Sequence, residues 1–166
     1  MSRLDSFINR LQAQKVLLEA AAAVLDAAGE GLPGPVIELG LGNGRTYDHL
    51  REMLPGRRII AFDRSVEANP RSIPVPDDLI IGEIETAGRA FGAKFGAIAA
   101  LLHADLGNGV RADEIRLQRW LPDIVLELVR PGALVVTSTE LTHPRLDARA
   151  LPPDVAPGRY FIYRRH

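Results

Sequence analysis

The stretch VIELGLGNGRTYDHL, Val36 to Leu50, decides how the rest of the chain is read. Val36 to Leu39 is apolar except for Glu38, the pattern of a short strand buried on both faces. Gly40, Gly42 and Gly44 follow at alternate positions, and a helical segment runs from Arg45 to Met53 until Pro55 and Gly56 end it. Glycines at this spacing allow a tight turn and a close approach of backbone to a ligand. The helix behind them presents free N–H groups. Glu38 stands at the carboxyl end of the strand, where open α/β sheets bind their ligands.

Several nucleotide readings compete for this turn. A phosphate-gripping loop needs Lys and then Ser or Thr after its last glycine, whereas Arg45-Thr46 follows Gly44 and the glycine spacing differs. A dinucleotide fingerprint would put Arg45 at its third glycine, where helix and sheet must pack closely. That substitution argues against an NAD-linked oxidoreductase. A G-x-S-x-G elbow is missing, which argues against a serine hydrolase of the α/β type.

Outward from the turn, short apolar runs alternate with helical segments. Strands are expected at Arg58–Phe62, Leu79–Ile81, Phe95–Leu102, Ala133–Ser138 and Arg159–Tyr163. Helices are expected at Ile84–Phe91 and Asp113–Val129, the latter interrupted near Pro122, and the Pro131-Gly132 pair reads as a turn. The first thirty residues read as one helix, with Leu4, Phe7, Ile8, Leu11, Val16, Leu18 and Leu25 at roughly helical spacing. Gly29, Gly31, Pro33 and Pro35 stop it. Such a helix could cover a sheet edge, lid a pocket or pair with a second subunit. Continuous apolar strands separated by helices predict a three-layer α/β domain with a mostly parallel sheet.

Composition narrows the function classes. The 166 residues contain no Cys, which excludes disulfides, thiolate catalysis and cysteine metal sites. Twenty basic side chains face 21 acidic ones, for a net charge of -1. No strong field therefore steers the chain toward nucleic acid or a membrane surface. The opening MSRLDSFINRLQ lacks the apolar core of a secretory signal, and no run reaches the roughly 18 apolar residues of a membrane span. A cytoplasmic protein is expected.

With these residues in view, E-L-G-x-G-x-G on the first strand–helix turn and an acid, Asp63, closing the second strand resemble class I S-adenosylmethionine-dependent methyltransferases. The fuller ELGLGNGRTYDHLRE with IIAFDR at Ile59 to Arg64 is similar to a small bacterial subgroup of these enzymes, over about Pro35 to Ser138. The resemblance implies a Rossmann-like methyltransferase fold with an N-terminal helical extension and a shortened C-terminal part. The domain plan is a single domain, 1–166: the extension at 1–30, a cofactor-binding core at 35–140, and a linker with a terminal strand at 141–166.

It further implies that S-adenosyl-L-methionine lies over Gly40, Leu41, Gly42, Asn43 and Gly44, with Thr46 and Tyr47 beside it. Glu38 would receive the cationic amino end, directly or through water. Asp63 would accept from both ribose hydroxyls, a task for which a carboxylate has the acceptors, with Arg64 next to it. Gly82, Glu83 and Ile84 would meet the adenine. Glu83 stands where Asp is more familiar, and it also reads as a charge at the start of the next helix.

The fourth strand's end, LLHADLGNG, faces the methyl group and acceptor in this family, so His103, Asp105 and Asn108 are candidates by position. His103 and Asp105 are the candidate catalytic residues. His103 titrates near neutrality and could take a proton, contact the cofactor or cap the following helix. The D/N-P-P-Y/F of amino-group methyltransferases is replaced by His103-Ala104-Asp105-Leu106, which lowers the odds of adenine, cytosine or glutamine N-methylation. Asp105 with Glu140, or His103 with His143, does not form a metal signature, and no metal is expected. Tyr47, Asp48 and His49 are consecutive on a helix, which sends them in different directions.

After Ser138 little chain remains, so the family's last helix is expected to be compressed or absent. The reading that follows is methyl transfer to a small-molecule acceptor, with no nucleic acid or membrane partner and a homodimer through the N-terminal helix. An inactive S-adenosylmethionine-binding or regulatory protein is the alternative.

Overall fold

The computed structural model describes residues 2–26 and 31–166. The chain runs α1 (Arg3–Asp26), β1 (Val36–Leu39), α2 (Arg45–Met53), β2 (Ile59–Asp63), β3 (Leu79–Ile81), α3 (Ile84–Phe95), β4 (Ala99–Ala104), α4 (Arg111–Leu128), β5 (Val129–Thr137), β6 (Leu146–Ala148) and β7 (Phe161–Arg165). The last residues expected in the first helix, 27–30, lie outside the described residues.

The strands form one sheet in the order β3-β2-β1-β4-β5-β7-β6. The first five are parallel, and β7 runs antiparallel between β5 and β6. The order reverses at β1. The chain builds outward through β2 and β3, then returns to lay β4 on the other side. A crevice opens at the carboxyl ends of strands at such a reversal. The glycine turn leaves β1 at this point.

Alternation along each strand divides the core in two. Val36, Ala61, Leu101, Leu134 and Val136 pack with Leu17, Leu18 and Ala21 of α1 and Leu50 of α2. Ile37, Phe62, Leu102 and Val135 pack on the other face with Phe91 of α3 and Leu121, Ile124 and Leu128 of α4. The N-terminal helix therefore covers its own sheet. Each leucine it buries favours docking by roughly 2 kcal/mol. A capping box starts α1: the Asp5 N–H donates to Ser2 Oγ at 3.0 Å, and the Ser2 N–H donates to Asp5 Oδ2 at 2.8 Å. These bonds also hold the Asp5 carboxyl below its ordinary value.

Several expected boundaries need correction. Helix α4 runs unbroken through Pro122, because that residue and its neighbours Leu121, Ile124 and Val125 are buried against the sheet. Packing of this face outweighs the one lost backbone hydrogen bond. Phe95 ends α3 and does not open β4. Pro131 and Gly132 lie within the span of β5, at a register shift against β4. The stretch expected as a linker after residue 141 contains β6, and the terminal strand expected at Arg159–Tyr163 begins at Phe161, after Tyr160. Among the described residues no helix lies between β5 and β7. Nor is any helix there long and apolar enough to cross a membrane.

Candidate active site

The glycine turn is pinned to the end of β2 by three successive amides. Gly40 N–H and Leu41 N–H both donate to the Phe62 carbonyl, at 2.9 and 3.2 Å. Gly42 N–H donates to Asp63 Oδ2 at 2.7 Å, and Arg64 N–H donates to Asp63 Oδ1 at 2.6 Å. Each Asp63 oxygen keeps a further acceptor site. Gly44, at φ 82°, is required: a Cβ there would sit 2.5 Å from the Cβ of Ser72. Gly42, at φ 52°, is different, since a Cβ on it would meet nothing within 4 Å. Its open side faces the crevice.

Three adjoining cavities line this crevice. One of about 350 Å³ lies between Arg64, Glu83, Ile84, Leu106, Asn108 and Trp120. A second, about 180 Å³, lies between the turn, Gly40 to Asn43, and Arg10 and Gln14 of α1, with Asp105 at its edge. The third, about 700 Å³, shares Phe7 and Arg10 with the second and Asn108 with the first. Gly82 and Glu83 stand at the end of β3, and Glu83 is the N-cap of α3, its side chain making no capping hydrogen bond.

Beneath the turn runs a buried polar chain. The β1–β4 register sets Glu38 beside His103, and both are 0% exposed. His103 Nδ1 lies 2.9 Å from Glu38 Oε2, and Thr46 Oγ1 donates to Glu38 Oε1. With the Nδ1 proton directed at Glu38, Nε2 is left to accept from the Tyr160 hydroxyl at 2.9 Å. Gln14 Nε2 donates to that hydroxyl at 2.8 Å and to Asp105 Oδ2 at 3.0 Å. Arg10 closes the chain with an ion pair to Asp105 at 3.2 Å.

Burial works against a charged imidazole, yet the Glu38 charge and hydrogen bond, with Asp105 beyond, outweigh it. The proton affinity of His103 therefore sits above its ordinary value of 6.5. Burial first, then the Asp105 charge, pushes the Tyr160 hydroxyl well up, so it stays protonated.

The expected site residues thus fall into distinct surroundings. Gly40, Leu41, Gly42, Asn43, Thr46 and Asp105 gather round the 180 Å³ cavity, and Arg64, Glu83 and Ile84 round the 350 Å³ one. Glu38 and His103 lie below the crevice floor with each other as partners. Leu41 and Tyr47 turn their side chains into the core beside α1. Asp48 pairs outward with Arg51 at 2.5 Å, and His49 Nε2 lies 3.6 Å from Glu19 of α1. Sequence reasoning missed Arg10, Gln14 and Tyr160. The available signal was Arg10 and Gln14 four residues apart, a polar pair beside the apolar stripe of α1.

A parallel sheet reversing at β1, an antiparallel β7 insertion and an acid–glycine turn at the reversal define a class I, Rossmann-like methyltransferase. Residues 1–165 match a family model described as S-adenosyl-L-methionine methyltransferase, and the chain belongs to that family. It is 43% identical to an S-adenosyl-L-methionine methyl transferase from Silicibacter pomeroyi DSS-3, covering 100% of this chain and 99% of that one with a TM-score of 0.92. More distant structures share the fold. TrmN from Thermus thermophilus is 16% identical, with a TM-score of 0.58 and coverage of 92% of this chain and 49% of that one. The antibiotic-resistance methyltransferase Kmr is 14% identical, with a TM-score of 0.54 and coverage of 91% and 92%. Among curated proteins none matches the chain. The cofactor is S-adenosyl-L-methionine, and the open side of Gly42 beside the Asp63 carboxylate gives a cradle that fits it.

Proposed function

We propose that the enzyme methylates a small-molecule acceptor in the cytoplasm, within a single domain whose core, 35–140, carries the cofactor. The observation that carries this reading is that the chain's own α1 walls the crevice, with Phe7 and Arg10 lining both the 180 Å³ cavity and the adjoining 700 Å³ one, a space of small-molecule size. The adenine end belongs among Arg64, Gly82, Glu83 and Ile84, the ribose on Asp63, and the methionine end over Gly40 to Gly44 with Thr46. Arg10 is suited to the methionine carboxylate and Asp105 to its ammonium group, because the two already form a charged pair at that end. Glu38 and His103 act from below. Their bonds to Thr46 and Tyr160 fix the turn and α1 relative to each other, a positioning role.

When bound over Gly40 to Gly44 and Asp63, S-adenosylmethionine would supply a methyl carbon made electrophilic by its sulfonium. The residues then need only align it with the acceptor and exclude water. A homodimer is supported by Leu4 and Ile8, which stay exposed four residues apart on α1. Calorimetric titration with S-adenosylmethionine, with NAD as control, tests the cofactor site. Asp63→Ala should weaken binding by roughly 10- to 100-fold, the loss of charge-assisted hydrogen bonds, while the fold persists. Unchanged affinity in a folded variant would sink the ribose assignment. A screen of small acceptors for labelled methyl transfer separates an active enzyme from a binding protein.

A further inference from the structure

The 700 Å³ cavity between α1, the end of β4 and the end of β5 has an uneven charge. Arg3, Arg10 and Arg159 line it, against Glu114. Arg10 is already committed to Asp105 at its border with the cofactor crevice. Arg159 Nη1 donates to the neutral Ser6 hydroxyl at 2.8 Å, which positions the guanidinium without neutralising it. Among the described residues no carboxylate pairs with Arg3 or Arg159. On the opposite wall, Glu114 Oε2 accepts from Thr139 Oγ1 at 3.1 Å. Ser138 Oγ, also on that wall, is shut off from solvent and has no hydrogen-bond partner.

Two guanidiniums without a counter-charge in one concave site recognise an anion, since their forked N–H groups match carboxylate and phosphate oxygens. We propose that the methyl acceptor is a small anionic molecule whose carboxylate or phosphate group is held by Arg3 and Arg159. This inference rests on the reading of the cavity as the acceptor site. The negative Glu114 repels an anion, so the charged group lies on the α1 side. The nucleophilic end of the acceptor then points away from the arginines, toward the crevice.

The test is an NMR titration of the labelled protein, with and without saturating S-adenosylhomocysteine, using benzoate, phenyl phosphate, neutral benzamide and a short single-stranded RNA as probes. Benzoate or phenyl phosphate should shift resonances of Arg3, Arg159 and Ser138 and bind at least about tenfold more tightly than benzamide. The stronger of the two identifies the acceptor's anionic group. Arg3→Gln, at an exposed helical position, should remove most of that preference, and Arg159→Gln the rest. Equal binding of benzamide and benzoate, an unchanged preference in the double variant, or displacement of benzoate by the RNA overturns the proposal. Binding of S-adenosylhomocysteine without any anion preference overturns this inference alone. Anion binding at these residues without S-adenosylhomocysteine binding overturns the cofactor reading instead.

Discussion

The two faces of the central sheet are built from the same strands and differ in what they bury. Under α3 and α4, β1 and β4 present Ile37, Leu39, Leu102 and Ala104, all apolar. Under α1, the alternate positions of those strands present Val36 and Leu101 and then, nearer the crevice, Glu38 and His103. Area burial alone would favour leucine at the last two positions. A carboxylate and an imidazole removed from water cost several kcal/mol unless each is fully hydrogen-bonded. Here Glu38 and His103 bond each other, Thr46 bonds Glu38 and Tyr160 bonds His103. The apolar face supplies stability. The polar face converts part of that stability into a fixed geometry beneath the glycine turn.

The contrast breaks most sharply at Glu38. Glu38→Ala leaves His103 and Thr46 without their shared partner, so denaturant unfolding should show a loss of about 3–5 kcal/mol. Binding of S-adenosylhomocysteine should weaken as well. Leu102→Ala on the opposite face should cost a comparable or smaller amount, about 2–4 kcal/mol, through its cavity, with cofactor affinity retained in the folded fraction. If both variants lose affinity equally, the polar chain has no special link to the site.

Tyr160→Phe is a milder cut. It removes one hydroxyl, leaving His103 Nε2 with only the longer 3.5 Å contact to Gln14 Nε2, and Gln14 with that contact and Asp105. A loss of about 1–3 kcal/mol is expected in the same unfolding assay. A near-neutral effect would mean that water replaces the hydroxyl.

The smallest effect concerns pH. The folded-state pKa of His103 is raised above 6.5, so its contribution to stability is full below that value. That contribution is lost as pH climbs through the raised folded value. Unfolding midpoints should therefore fall across this window, and His103→Gln should flatten the decline. An unaltered slope would assign the dependence to another group.

Much of the fold was legible because buried parallel strands have a plain signature. VIEL, IIAF and the glycine turn marked β1, β2 and the strand–helix turn between them directly. Pro122 misled because local propensity knows nothing of the face that α4 buries, and β6 escaped because three residues, LDA, carry no strand pattern. The site was legible where one segment supplies it, as at Gly40 to Thr46. It was obscure where distant segments meet. His103 and Glu38 were named separately, but their contact is a property of strand register. Tyr160 looked like one more strand aromatic until the structure placed its hydroxyl on His103.

The bond between Gln14 and Tyr160 spans 146 positions of the chain. During synthesis α1 leaves the ribosome well before Tyr160, so Gln14 must wait 146 positions for that partner. Until β1, β4 and β5 have been made, Leu17, Leu18 and Leu25 have no sheet to cover. Such exposed apolar surface is what holding chaperones bind and what drives aggregation. The enzyme's productive yield is therefore tied to the docking of α1 on the sheet and its bond to Tyr160.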